Sequence, residues 1–172
     1  TAYLKGYLTR QGYQAEQYDL SIELINRLFS RDILLRIFDA CPPEQMGKDP
    51  NLERMYGLRE RYLSTIDTVM EFLRKGDNTL ATLICNGEFL PQAGRFDAAG
   101  ELDYFFGNLG TADCAKFLCT LYLQDLSDLI RGTVTEHFEI VRYGERISMS
   151  IPLFAKLEAE LRQPRNPIEE EM

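Results

Sequence analysis

The stretch Asn51-Leu52-Glu53-Arg54-Met55-Tyr56-Gly57-Leu58-Arg59-Glu60-Arg61-Tyr62-Leu63-Ser64-Thr65-Ile66-Asp67-Thr68-Val69-Met70-Glu71-Phe72-Leu73-Arg74-Lys75 decides the fold class. Leu52, Met55, Tyr56, Tyr62, Leu63, Ile66, Val69, Met70 and Leu73 recur at helical spacing, with Arg59, Glu60, Asp67, Glu71 and Arg74 on the opposite side. This spacing predicts one long amphipathic helix, closed by Gly76-Asp77-Asn78. So wide an apolar stripe must be buried against other elements, and the sequence on either side supplies more helices.

Upstream, Ile22, Ile25, Leu28, Phe29, Leu34, Ile37 and Phe38 follow helical spacing with a break near Ser30, and Asp19 or Ser21 is placed to cap them. Pro42-Pro43 ends that segment, and residues 44–50 form a polar connection. Downstream, residues 79–89 read as a helix, and 92–110 as a glycine- and aromatic-rich loop with a short helix around Ala98 to Phe106. Ala115, Leu118, Leu121, Tyr122, Leu126, Leu129 and Ile130 mark a helix from Thr111 that Gly132 terminates. A last helix should follow Pro152 as far as Leu161, leaving residues 163–172 as an extended tail.

At the other end, Tyr3, Leu4, Tyr7 and Leu8 form one face of a short helix stopped by Gly12, and the loosely alternating Tyr13 to Leu20 reads as a strand. The expected fold is therefore mainly α: five or six helices with at most one or two short strands. One domain, 1–162, is expected, comprising a helix–strand unit at 1–20 and helices over 21–162, with a tail at 163–172. Thr1 opens the chain and Ala2-Tyr3-Leu4 already reads as helix interior, so a piece cut from something longer, lacking a first strand, is expected.

Net charge and spacing narrow the function classes. With 19 basic against 27 acidic residues and a net charge of -8, nucleic acid and anionic membranes are poor partners. No apolar run reaches membrane-helix length and no signal peptide opens the chain. Cys41, Cys85, Cys114 and Cys119 sit in apolar contexts and read as buried free thiols, which places the chain in the cytoplasm.

Motif by motif, the chemistry stays bland. Gly107-Asn108-Leu109-Gly110 lacks a Walker lysine, so it reads as a turn. Cys114 and Cys119 are turned about 140° apart on a helix and do not face a common ligand. His137 is the sole histidine, and no Gly-x-Ser-x-Gly elbow accompanies Asp125, Ser127 and His137. The carboxylate pairs Asp125/Asp128 and Glu158/Glu160, and the run Glu169 to Glu171, read as solvated helix faces, an acid–base pair being the less favoured alternative. The aromatics Phe89, Phe96, Tyr104, Phe105 and Phe106 read as core before pocket. No catalytic residue and no metal ligand is assigned, and the cofactor-binding residues stay unknown.

Residues Thr1-Ala2-Tyr3-Leu4-Lys5-Gly6-Tyr7-Leu8 and Gly12-Tyr13-Gln14-Ala15-Glu16-Gln17-Tyr18-Asp19-Leu20 resemble the opening of cobalamin (B12)-binding-type radical S-adenosylmethionine (radical SAM) proteins. There a helix of this kind leads to a strand ending in Asp-Leu. Residues 126–130, 137–139 and 142–147 resemble a helical insertion carried by members labelled magnesium-protoporphyrin IX monomethyl ester oxidative cyclase. The Cys-x-x-x-Cys-x-x-Cys and Asp-x-His-x-x-Gly motifs are absent, Thr135 and Ile140 standing where the second would need Asp and Gly. The resemblance implies a non-catalytic N-terminal fragment of a larger Rossmann-like α/β oxidoreductase, packing on its cofactor domain. The chain itself would hold no cofactor; a 4Fe-4S cluster, S-adenosylmethionine and cobalamin would belong to the parent. Its partners would be the rest of the parent polypeptide and, over exposed surface, a second copy in a homodimer. The alternative is a helical protein-interaction or small-ligand-binding module without catalysis, with a carboxylate enzyme as a third reading.

Overall fold

A computed structural model describes residues 2–16, 18–40, 49–97, 110–140, 147–149 and 154–171. Ten helices are present among them: α1 (Ala2–Arg10), α2 (Leu20–Leu28), α3 (Arg31–Ala40), α4 (Pro50–Gly57), α5 (Arg59–Lys75), α6 (Asn78–Cys85), α7 (Gly94–Asp97), α8 (Thr111–Thr133), α9 (Phe154–Leu161) and α10 (Pro167–Glu171). The strands β1 (Phe138–Ile140) and β2 (Ile147–Met149) pair antiparallel, with Phe138 opposite Met149.

The expected count of five or six helices is thus too low, and the expected fragment of a Rossmann-like α/β protein is not found. That fragment needed a strand over Tyr13 to Leu20. The described residues of that stretch are irregular up to Asp19, and Leu20 already belongs to α2. A lone strand would leave its backbone groups without a ladder, whereas Asp19 uses its carboxylate to cap α2, accepting from Ile22 N–H at 3.1 Å.

Several helices are shorter than the apolar stripes suggested because the chain turns within them. The long stripe from 51 to 75 is split at Leu58, just past Gly57, a residue that weakens a helix interior. Leu58 N–H still bonds the carbonyls of Arg54 and Met55, both at 3.1 Å, so α5 follows α4 with one residue between them. Asp49 caps α4, Asp77 caps α6, and Gly76 closes α5 in the left-handed region at φ 68. Gly132 does not end α8 but sits inside it, where a Cβ would come within 2.7 Å of Leu52 Cδ1. It is there because α4 passes close to α8.

The core is built on α5 and α8. Tyr62, Ile66, Val69 and Phe72 of α5, with Ala115, Cys119, Tyr122, Leu126, Leu129 and Ile130 of α8, are essentially closed to solvent. Helices α3, α6 and α7 and strand β1 pack around α8. Phe72 takes the core position that the sequence pattern gave to Leu73, which is 39% exposed. The C-terminal segment is not extended throughout: α10 docks on α2 and α3 with Ile168 fully buried. The short helix expected around Ala98 to Phe106, the Pro42-Pro43 stop with Cys41, and Arg142 to Arg146 lie outside the described residues.

Candidate functional site

At the centre of α8, Asp125 is completely buried. Its Oδ2 accepts from Ala93 N–H at 3.1 Å and Tyr62 O–H at 3.2 Å, and its Oδ1 accepts from Arg95 N–H at 2.9 Å. The intervening amide of Gly94 donates to Asn51 Oδ1 at 2.8 Å. Two backbone N–H groups flanking Gly94 at the start of α7, those of Ala93 and Arg95, therefore converge on the Asp125 carboxylate, while the amide between them is taken by Asn51. A Cβ on residue 94 would lie 2.7 Å from Asn51 Oδ1, so a side chain there would push Asn51 from its present position.

The network continues outward. Tyr122 O–H donates to the Tyr62 carbonyl at 3.0 Å and lies 3.2 Å from Thr65 Oγ1, and the two tyrosine rings are 5.2 Å apart. On the surface side, the Arg95 guanidinium grips Asp128 in a fork at 2.6 and 2.8 Å. Arg95 thus ties both carboxylates, the buried one through its backbone and the exposed one through its side chain. Asp125 and Asp128 do not share a proton site, and Asp125 is not the solvated surface acid its composition suggested.

Burial raises the Asp125 carboxyl above its ordinary 3.8, against the pull of the donors from Arg95, Ala93 and Tyr62. Tyr62 is pushed upward too, by burial first and then by the Asp125 charge, so the phenol stays a donor. Since folding raises the carboxyl's pKa, the folded chain holds a proton that the unfolded chain has already released at 3.8 and above. This group's contribution to stability is most favourable in acid and declines as pH climbs from 3.8 to the raised value. A carboxyl-carbon NMR titration of Asp125 should give a midpoint above 3.8; one at or below it would contradict the assignment.

The other sequence candidates do not converge on a reactive centre. His137 lies in the turn before β1, with its Nε2 3.6 Å from Glu136 Oε1 and its amide 3.4 Å from Thr135 Oγ1, whereas Asp125 is engaged with Tyr62, Ala93 and Arg95. Ser127 is buried in α8. Glu158 pairs with Arg162 at 2.6 Å on the open face of α9. Glu169 accepts from Asn166 N–H, and Glu171 pairs with Arg27 at 3.3 Å, in the seating of α10. Phe96 is core and Phe89 half-buried against it, while Tyr104 to Phe106 and Gly107 to Leu109 fall outside the described residues.

Cys119 is buried and its thiol is pushed up to about 12 by that burial. Cys114 faces a thiol that sequence spacing did not suggest, Cys85 at the end of α6. Among the described residues no three His, Cys, Asp or Glu side chains are grouped to hold a metal ion, and no helix is long and apolar enough to cross a membrane.

Two surface features remain. A groove of about 490 Å³ is lined by Arg54, Leu58, Arg61, Glu88, Leu90 and Gln92. Its cations are already engaged, Arg54 with Asp97 at 2.9 and 3.0 Å and Arg61 with the carbonyls of Glu88, Phe89 and Leu90.

The second feature is the N-terminal arm, residues 2–22. Tyr3, Leu4, Tyr7, Tyr13, Tyr18, Leu20 and Ile22 are all more than half exposed, Tyr3 at 95%. They make seven of the thirteen large exposed hydrophobics among the described residues, in about an eighth of the chain. The core begins only at Ile25 and Leu28, so the arm adds nothing to it.

Comparison with protein-family models, with curated proteins and with solved structures gave no match for this chain.

Proposed function

We propose that the chain is a helical protein-interaction module whose N-terminal arm docks on a second copy of the same chain. The observation that carries this reading is the concentration of exposed Tyr, Leu and Ile side chains in a segment outside the hydrophobic core. Contiguous apolar surface rimmed by polar groups marks a contact surface. Tyrosine favours that use, presenting a rigid, amphipathic ring with few torsions to freeze.

Charge favours a copy of this chain as the occupant. Helix α1 carries Lys5 and Arg10 and no acid, while the chain as a whole has a net charge of -8, so α1 is attracted to a second copy rather than repelled by it. Area is also sufficient. Burying the seven side chains removes about 800 Å² per arm, and two symmetry-related arms reach about 1,600 Å², the size of a stable specific interface.

Sedimentation velocity over a concentration series tests the reading on the full chain. The wild type should pass from monomer to dimer as concentration rises, and the triple substitution Tyr3→Ser, Leu4→Ser, Tyr7→Ser should remain monomeric with an unchanged urea midpoint. A wild type that stays monomeric at high micromolar concentration, or a dimer indifferent to the triple substitution, would overturn it.

A further inference from the structure

The end of α6 and the start of α8 bring two thiols together. Cys85 is the last residue of α6, and its Sγ donates to the carbonyl of Thr111, the first residue of α8, at 3.4 Å. Cys114 lies one turn further along α8. Helical side chains lean back over the preceding turn, which carries the Cys114 sulfur toward the same Thr111 position. The Cys85 sulfur, held at the Thr111 carbonyl, therefore lies beside the turn of α8 that carries Cys114, and the neighbouring Cys114 thiol helps raise the Cys85 pKa. Both are partly accessible, while Cys119 is buried. Each is also packed against the core, α6 lying along α8, so neither sulfur is on a segment free to swing away.

We infer that Cys85 and Cys114 form a dithiol site that a small-molecule disulfide closes, by thiol–disulfide exchange, into an intramolecular Cys85–Cys114 bond. One cysteine thiolate attacks a sulfur of the incoming disulfide, displacing one thiolate and forming a mixed disulfide. The second cysteine thiolate attacks the protein sulfur of that mixed disulfide, the protein S–S bond forms and the remaining small thiolate leaves. Two protein thiols are oxidised, one small disulfide is reduced to two thiols, and the two cysteine protons end on the departing thiolates. The bond clamps the end of α6 to the first turn of α8. Burial, then the neighbouring Cys114 thiol, push Cys85 up to about 11, so thiolate is scarce at neutral pH and closure is slow.

The test is equilibration of the full chain in mixtures of oxidised and reduced glutathione, followed by acid quenching, alkylation in denaturant and peptide mapping. The expected product is a Cys85–Cys114 linked peptide, with a mass loss of about 2 Da and reversal by excess reduced glutathione. Cys119 should be recovered alkylated. The link should survive Cys119→Ser and vanish in Cys114→Ser, and the mapping of the wild type stands without either variant. Glutathione adducts with no internal link, or a link to Cys119 or Cys41, would overturn the assignment.

Discussion

Replacing Asp125 with alanine is expected to lower stability by about 3–5 kcal/mol, the cost of the donors left unpaired less the desolvation cost of the carboxylate that is removed. The substitution strands Ala93 N–H and Tyr62 O–H in the interior and Arg95 N–H at its part-buried edge. Each unpaired donor costs about 1–3 kcal/mol, offset in part because the carboxylate no longer has to be desolvated. The loss spreads beyond α8, since the start of α7 is held to α8 through that carboxylate. Asp125→Asn keeps the shape and one acceptor oxygen but aims an NH2 at a site lined by donors, so it should fall between alanine and wild type. Urea denaturation at neutral pH reads both variants, with the midpoint shifting and the slope unchanged. An alanine variant within about 1 kcal/mol of wild type would mean that the network is not holding the core.

The second large effect sits at the opposite end of the chain. Ile168→Ala should cost about 2–4 kcal/mol, the usual range for emptying a fully buried isoleucine site. The acids beside it look more prominent in sequence and matter less. Glu170 pairs with Arg36, and Glu171 reaches Arg27 at 3.3 Å and Arg36 at 3.4 Å, yet both arginines are substantially exposed. Exposed pairs of this kind contribute about 0–1 kcal/mol. Urea midpoints for Ile168→Ala and Glu170→Ala should therefore differ widely. Near-equal, small shifts would show that α10 is not docked.

What the sequence could and could not reveal follows from the range of each interaction. The stripes of α2, α3, α5 and α8 were legible because helical periodicity is a local signal. Asp125 was legible in principle too: it falls seven residues after Leu118 and three after Tyr122, on the apolar stripe of α8. A carboxylate on that stripe is marked by its position as buried and hydrogen-bonded, although its residue type points to the surface. Its partners at 62, 93 and 95, like Asn51 facing Gly94 and Cys85 facing Cys114, come from distant parts of the chain and leave no local trace. Tyr13 to Leu20 reads as a strand on loose alternation alone, and among the described residues no strand lies beside it to complete a ladder. At three residues each, β1 and β2 are too short for any period to show. Ile168, a single apolar residue between Pro167 and three glutamates, has no periodicity to announce that it is buried.

The core closes around α5 and α8, the apolar arm lies outside it, and the proposed docking of that arm on a second copy is open to direct measurement. Amide hydrogen exchange on the intact chain at low and high protein concentration addresses both halves at once. At low concentration the amides of α1 should exchange at close to free-peptide rates while those in the middle of α5 and α8 exchange only through global unfolding. Raising the concentration should slow exchange in α1 and leave the local pattern within α5 and α8 as it was. Deep protection of α1 in dilute solution, or no change there on concentration, would contradict the account.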